Sequence, residues 1–299
     1  LSAPGYRAWG IAFAVLGVLA FSFRPILIKL SYAAHPVSPN TLLFLRMALS
    51  LPFFLVIAWW LRLQEPALTR RDWAAVAGLG FLGYYAASFL DFLGLQYVGA
   101  GVGRLILFLY PTLVLTLSFF FFKKRPTRRE MASLVMSYAG IALVVSDQIG
   151  TSHEGKLFLF GVLLVFASAL CYAGYLVAGS QVVRRIGSMR FTAYSMAVAT
   201  LPALAQFFLL EPLSALALPA SVWLYAIILA TVSTVLPLFL QAEALRRIGA
   251  TEFALVGAVS PVSVAVMSAA GLGEPFGFPQ IAGAVLVIGG VLLVSLKRS

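Results

Sequence analysis

The sequence predicts an all-α integral membrane protein of ten transmembrane helices, arranged as two inverted five-helix repeats. Three observations carry this expectation. Of 299 residues, 62% are hydrophobic and only 10% are charged, against about 25% charged in an ordinary soluble domain. Such a composition cannot dress a water-facing surface, and the bilayer removes the need for one. The apolar residues fall into ten stretches near the ~20 residues that a spanning helix requires. The connections are short, no stretch is left for a soluble domain, and the two halves of the chain repeat at a single offset of 150 positions.

The expected spans are 8–30, 40–61, 73–95, 100–122, 130–147, 157–179, 191–210, 221–244, 252–272 and 279–296. The first is long enough to be kept as a helix, since no small-residue cleavage site follows a short apolar core. In the third, "GLGFLG" (Gly78 to Gly83) matches a dinucleotide fingerprint but follows no strand; glycines inside an apolar helix serve close helix contact instead. The fourth carries Gly99-x-x-x-Gly103, a spacing for internal packing, and a mid-helix Pro111. It ends at Phe122 on Lys123, Lys124, Arg125, Arg128 and Arg129. Between the fifth and sixth spans, "GTSHEGKL" puts Leu157 where a phosphate-binding loop needs Ser or Thr. The ninth carries Pro261 and ends near Glu274, with no positive charge.

Lys and Arg in short loops set orientation. With Arg7 in the cytoplasm, that side also receives Arg62, Arg70, Arg71, the 123–129 cluster, Arg184, Arg185, Arg190, Arg246, Arg247, Lys297 and Arg298. The other side receives little beyond Lys156. Both termini are therefore expected to be cytoplasmic, in a bacterial inner (plasma) membrane. Most of the positive charge behind the net +11 lies in these clusters, which marks orientation signals and not a nucleic-acid groove. Cys171 is the only cysteine, and His35 and His153 lie in separate loops. That leaves no intrachain disulfide, no metal ligand set and no cofactor to expect. No nucleophile–base signature is visible.

The repeat pairs Pro52 with Pro202, Pro111 with Pro261, Gly99-Ala100 with Gly249-Ala250, Ala132 with Ala282, Gly140 with Gly290, and Leu143-Val144 with Leu293-Val294. Five spans per half is an odd number, so residues 151–299 must enter the membrane inverted relative to 1–150. The Phe122 end then carries positive charge, while the equivalent Leu272 end carries Glu274. Inverted repeats are a device of secondary transporters, with the substrate site near midplane between the repeats.

Two five-helix halves, the paired helices "GAGVGRLILFLYPTLVLTL" and "GATEFALVGAVSPVSVAVM", and the paired "ASLVMSYAGIALVV" and "IAGAVLVIGGVLLV" resemble the drug/metabolite transporter superfamily, specifically its ten-helix EamA-type exporters. Within it, the resemblance is greatest to the YddG-type (aromatic) amino-acid exporters. It covers nearly the whole chain and implies the fold more strongly than the substrate. The family's first helix often carries a Trp-Gly pair well inside the membrane; here Trp9-Gly10 lies at the inner end and "FSFRP" takes the deeper position.

Ionisable groups inside spans are expensive and are functional candidates by default. Asp91 and Arg104 are equidistant from the hairpin apex near Tyr97-Val98, as Arg24 and Arg46 are from His35. Six residues at ~1.5 Å place all four in one layer roughly 10 Å from the outer end. In one reading Asp91 pairs with one arginine and the surplus positive potential attracts a carboxylate, such as that of an amino acid. In the other, the arginines snorkel to headgroups or knit helices together. The repeat partners of Asp91 and Arg104 are Gln241 and Ala254, so the layer is asymmetric. Helical spacing proposes a cavity face of Tyr84, Ser88, Asp91, Arg104, Phe108, Tyr172, Tyr175, Ser260 and Ser263; ordinary helix packing is the alternative. Pro111 and Pro261 free backbone carbonyls and are candidate bending points. Glu243 and Glu252 are expected to pair with Arg246 or Arg247.

The expected function is a secondary transporter exporting small organic metabolites, foremost amino acids (aromatic or other neutral ones), by alternating access through a central cavity. Its partners are a small-molecule substrate and the lipid bilayer, and it works as a monomer. A multidrug or lipophilic-cation exporter of the same fold is the alternative, and three arginines oppose it. An integral membrane enzyme acting on lipid would need a catalytic carboxylate or histidine cluster that is not visible, and a channel would need a filter sequence. With no ATP motif, transport is passive, exchange or ion-driven, and Asp91 is the only deep carboxylate for a proton role. Single cysteines replacing Arg125 and Glu274 should be labelled by impermeant maleimide from opposite faces of the membrane; labelling from one face would remove the inverted arrangement.

Overall fold

The computed structural model describes residues 4–64, 66–122, 127–151, 155–274 and 277–295. Lys123, Lys124, Arg125, His153, Lys297 and Arg298 lie outside the described residues. The membrane helices are α1 (Tyr6–Ala34), α2 (Pro39–Leu63), α3 (Arg70–Gly94), α4 (Ala100–Phe121), α5 (Arg128–Gln148), α6 (Gly155–Ile186), α7 (Ser188–Leu210), α8 (Ala220–Gly249), α9 (Leu255–Leu272) and α10 (Phe278–Leu293). Among the described residues, the first nine have spanning length and apolarity and α10 is a shorter apolar helix. No strand occurs among them.

The ends are set by local chemistry. Pro39 opens α2, where its missing N–H costs nothing, and the Ser38 hydroxyl accepts from the Thr41 amide. Thr69 and Asp72 form a reciprocal capping box on α3, and Thr127 and Glu130 repeat it on α5. Each satisfies amide groups that a helix start leaves open. Between α8 and α9 the chain turns at Gly249, whose φ of 75° suits glycine.

The repeat recurs as matched irregularities. A π-helical turn begins at Phe81 in α3 and another at Thr231 in α8, 150 positions apart. Helix α4 breaks at Phe108–Leu109 and α9 at Ala258–Val259, again 150 apart, and the chain resumes helix at Tyr110 and at Ser260. At each break the amide reaches only three residues back, Leu109 to Ile106 and Val259 to Val256. Pro111 and Pro261 lie one residue into the resumed helices, so the breaks precede the prolines. The missing N–H removes a bond to the preceding turn and the ring crowds it, and the backbone yields there. Pro52 and Pro202 instead lie inside helices assigned without interruption.

Packing follows the same symmetry. Helix α1 lies along α8 as α3 lies along α6, α2 pairs with α7, α5 pairs with α10, and α4 meets α9. Every one of these contacts maps onto itself or another under the repeat, as an inverted two-fold requires. Small residues allow the approaches: a Cβ on Gly80 would come 2.7 Å from the Ser195 carbonyl of α7, and one on Gly140 would come 2.7 Å from the Gly283 carbonyl of α10. Without a solvent-driven hydrophobic force between helices in lipid, such close packing carries the association. Basic residues gather at one end, termed here the basic end; at it, Asp72 of α3 meets Arg185 of α6 at 2.5 Å. Gly140→Leu should overpack the α5–α10 contact at a cost of about 1–3 kcal/mol and lower the melting temperature in detergent, while Leu143→Ala on the partly exposed face should not.

Candidate functional site

Between the halves lies a cavity of about 370 Å³, at the small end of the ~300–1,000 Å³ range of ligand pockets. Its wall takes Phe21 and Arg24 from α1, Arg46 from α2, Tyr84, Ser88 and Asp91 from α3, and Arg104, Phe108, Tyr110 and Pro111 from α4. The second half adds Tyr172, Met196, Ser233, Thr234, Gln241 and Ser260. From the charged layer the wall continues toward the basic end, to Leu245 and Phe253. On the opposite side Ile26, Ala100 and Val264 pack together with Leu30, Met267 and Leu272. Beyond them Glu274 accepts from the Ala100 and Gly101 amides at 2.7 and 3.2 Å, capping the first turn of α4.

The four ionised groups meet in one layer. Arg24, Arg46 and Arg104 are 9%, 3% and 9% exposed and Asp91 5%, so none snorkels to a headgroup. Arg24 Nη2 donates to Asp91 Oδ2 at 3.1 Å. Arg46 donates through Nη1 to the Ser88 hydroxyl at 2.8 Å and through Nε to Thr234 at 3.1 Å. Arg104 donates through Nη2 and Nε to the Ser260 hydroxyl at 2.6 and 3.0 Å, and Ser260 shares a 2.8 Å hydrogen bond with Ser22 of α1. Aromatic faces intervene: Arg24 and Arg104 both lie over Phe21, and Arg24 and Arg46 both lie near Phe92. The arginines therefore knit helices together and face the cavity at once. With three cations and one anion, the wall is suited to holding a carboxylate by charge-assisted hydrogen bonds. Tyr84, Tyr110 and Tyr172 offer ring faces and hydroxyls beside it.

Of the residues expected on the cavity face, Tyr84, Ser88, Asp91, Arg104, Phe108, Tyr172 and Ser260 are brought to one wall. Tyr175 is not. It stands behind the wall, stacked between Tyr172 and Phe191, with its hydroxyl 3.0 Å from that of Tyr84. Ser263 is not on the wall either; its hydroxyl donates to the Val259 carbonyl at the helix break. Glu243 takes both Arg246 and Arg247, but Glu252 pairs with Arg7 of α1 at 3.0 Å, since the turn at Gly249 carries it away from them.

Phe21, Tyr110, Met196 and Thr234 were absent from that expectation. The repeat was the signal for three of them. Tyr84 corresponds to Thr234, Arg46 to Met196 and Ser260 to Tyr110, each 150 positions apart and each pair on the wall. Phe21 lies one helical turn before Arg24.

Two inverted five-helix halves around a largely apolar cavity that carries a few buried charged groups define a membrane transporter rather than an enzyme. The model of the EamA-like transporter family matches residues 8–146 and again 159–296, one match per half, and the chain belongs to that family. It is 28% identical over 294 residues to the uncharacterized transporter YcbK of Bacillus subtilis (strain 168), covering 96% of this chain and 91% of that one. It is 26% identical over 265 residues to the uncharacterized transporter YyaM of the same organism, covering 88% and 87%. A protein of Salmonella typhimurium (strain LT2) described as a "Probable amino-acid metabolite efflux pump" is 24% identical over 202 residues, covering 65% and 67%. A crystal structure at 20% identity superposes with a TM-score of 0.64 over 99% of this chain and 98% of that one, which concerns the fold alone.

Asp91→Asn should leave Arg24 buried without its counter-charge, a loss of about 3–5 kcal/mol, read as a fall in melting temperature. Adding Arg24→Gln should recover part of it, so the double variant is less unstable than the sum of the singles.

Proposed function

We propose that this chain is a secondary transporter that exports small carboxylate-bearing metabolites, with amino acids the first class to test. The observation that carries the reading is the buried layer of Arg24, Arg46 and Arg104 around the single carboxylate of Asp91, set in a cavity of about 370 Å³ between the two halves. A surplus of positive charge at membrane depth favours a carboxylate and repels lipophilic cations, which weighs against the multidrug alternative. The similarity to an amino-acid metabolite efflux pump points the same way, as does the resemblance to YddG-type exporters.

The proposed mechanism is alternating access. The halves, divided near residue 150, rock about the site, and the breaks before Pro111 and Pro261 act as paired bending points. The cavity reaches toward the basic end, which the charge bias assigns to the cytoplasm of a bacterial inner membrane. On that assignment the described conformation faces inward, ready to load an exported substrate. The unit of function is the monomer, since the cavity is built within one chain. Purified protein in proteoliposomes should give saturable uptake of a labelled amino acid but not of a cationic dye. Arg104→Ala and Asp91→Ala should each cut that uptake at least about tenfold. Dye uptake alone would overturn the substrate class, and undiminished transport by both variants would remove the site.

A further inference from the structure

We infer that the cavity selects substrates bearing two carboxylates, a dicarboxylate or an acidic amino acid, with one carboxylate on Arg46 and the other on Arg104. The inference rests on the transporter reading above and deepens it from one carboxylate to two.

The charge count is the starting point. Three guanidiniums and one carboxylate are the ionised side chains of the cavity wall among the described residues, a surplus of two positive charges. Arg24 sits in the middle and takes the carboxylate of Asp91. Arg104 lies on one side of it across the Phe21 ring, and Arg46 on the other beside Phe92. Among the described residues, the two outer guanidiniums hydrogen-bond only to neutral hydroxyls, those of Ser88 and Thr234 for Arg46 and of Ser260 for Arg104. A hydroxyl accepts a hydrogen bond but neutralises nothing, and a buried cation without a counter-charge is costly. Each guanidinium carries five N–H donors, and the hydrogen bonds to these hydroxyls leave donors of both for a ligand.

A zwitterionic neutral amino acid cannot settle this surplus. Its carboxylate would answer one arginine, while its ammonium would add a charge whose only carboxylate partner on the wall, Asp91, already serves Arg24. The layer would remain at a surplus of two. Two carboxylates answer both flanks: a dicarboxylate brings the surplus to zero, and an acidic amino acid, whose ammonium adds one charge, lowers it to one. Both arginines belong to the first half and already reach the second, Arg46 to Thr234 of α8 and Arg104 to Ser260 of α9, so carboxylates bound there would sit at the contact between the halves. Substrate charge would then help decide when the halves close on their cargo.

The test uses purified wild-type protein in proteoliposomes with the membrane potential clamped at zero. Labelled succinate and L-glutamate are compared with L-leucine and L-phenylalanine. Succinate or glutamate should be taken up saturably, with the neutral amino acids competing at least about 30-fold more weakly. Arg46→Gln and Arg104→Gln should each weaken succinate competition by a similar factor. Thermal stabilisation of the wild type in detergent should rank the same four compounds in the same order, which decides the matter if a variant does not fold. Saturable uptake of leucine or phenylalanine without succinate or glutamate would overturn the two-carboxylate inference and leave the amino-acid reading standing. Uptake of a cationic dye with none of the four carboxylates would overturn both.

Discussion

Three guanidinium groups at membrane depth must each find acceptors inside the protein, because the hydrocarbon around them offers none. Every acceptor they find belongs to another helix. Arg24 of α1 reaches α3, Arg46 of α2 reaches α3 and α8, and Arg104 of α4 reaches α9. The polar layer therefore cross-links the helices that enclose the cavity, and it does so across the boundary between the halves. The same bonds that give the guanidiniums acceptors place them around a shared space.

That space is closed unevenly. Away from the basic end, apolar side chains of α1, α4 and α9 meet, and Glu274 from the end of α9 caps the start of α4. A carboxylate at a helix N-terminus answers both the open amides and the positive end of the dipole, so this contact ties one half to the other. In the same region Ser38 and Asn40 donate to Glu211 at 2.6 and 3.0 Å, linking the α1–α2 turn to the end of α7. The wall on the other side runs on to Leu245 and Phe253. Paired helix breaks at the level of the charged layer lie between these two regimes, where a backbone already short of hydrogen bonds bends at least cost.

The two halves share a backbone plan and differ in chemistry. Arg46, Tyr84 and Asp91 on the first half face Met196, Thr234 and Gln241 at the equivalent positions of the second. Backbone symmetry allows the inverted packing, and the side chains break it. One half brings the ionised groups, while the other brings neutral acceptors, a thioether and an amide. Such a site presents unlike walls to its ligand, charge from one half and neutral acceptors from the other.

Much of the architecture was legible along the chain because lipid imposes one-dimensional rules. Apolar length sets the spans, and a constant offset betrays the repeat. The depth of Asp91, Arg104, Arg24 and Arg46 followed from counting residues out from two hairpin turns. The sequence by itself thus determined the membrane class, the count of spans, the inverted halves and the existence of a charged layer. Only the tertiary structure decided which arginine holds Asp91, that Tyr175 stands behind Tyr172, that Ser263 turns back on its own helix, and that Glu252 reaches Arg7. Those outcomes depend on helix rotation and on turns such as Gly249. Rotation is set by packing between helices distant in sequence, where a difference of one residue turns a side chain by about 100°.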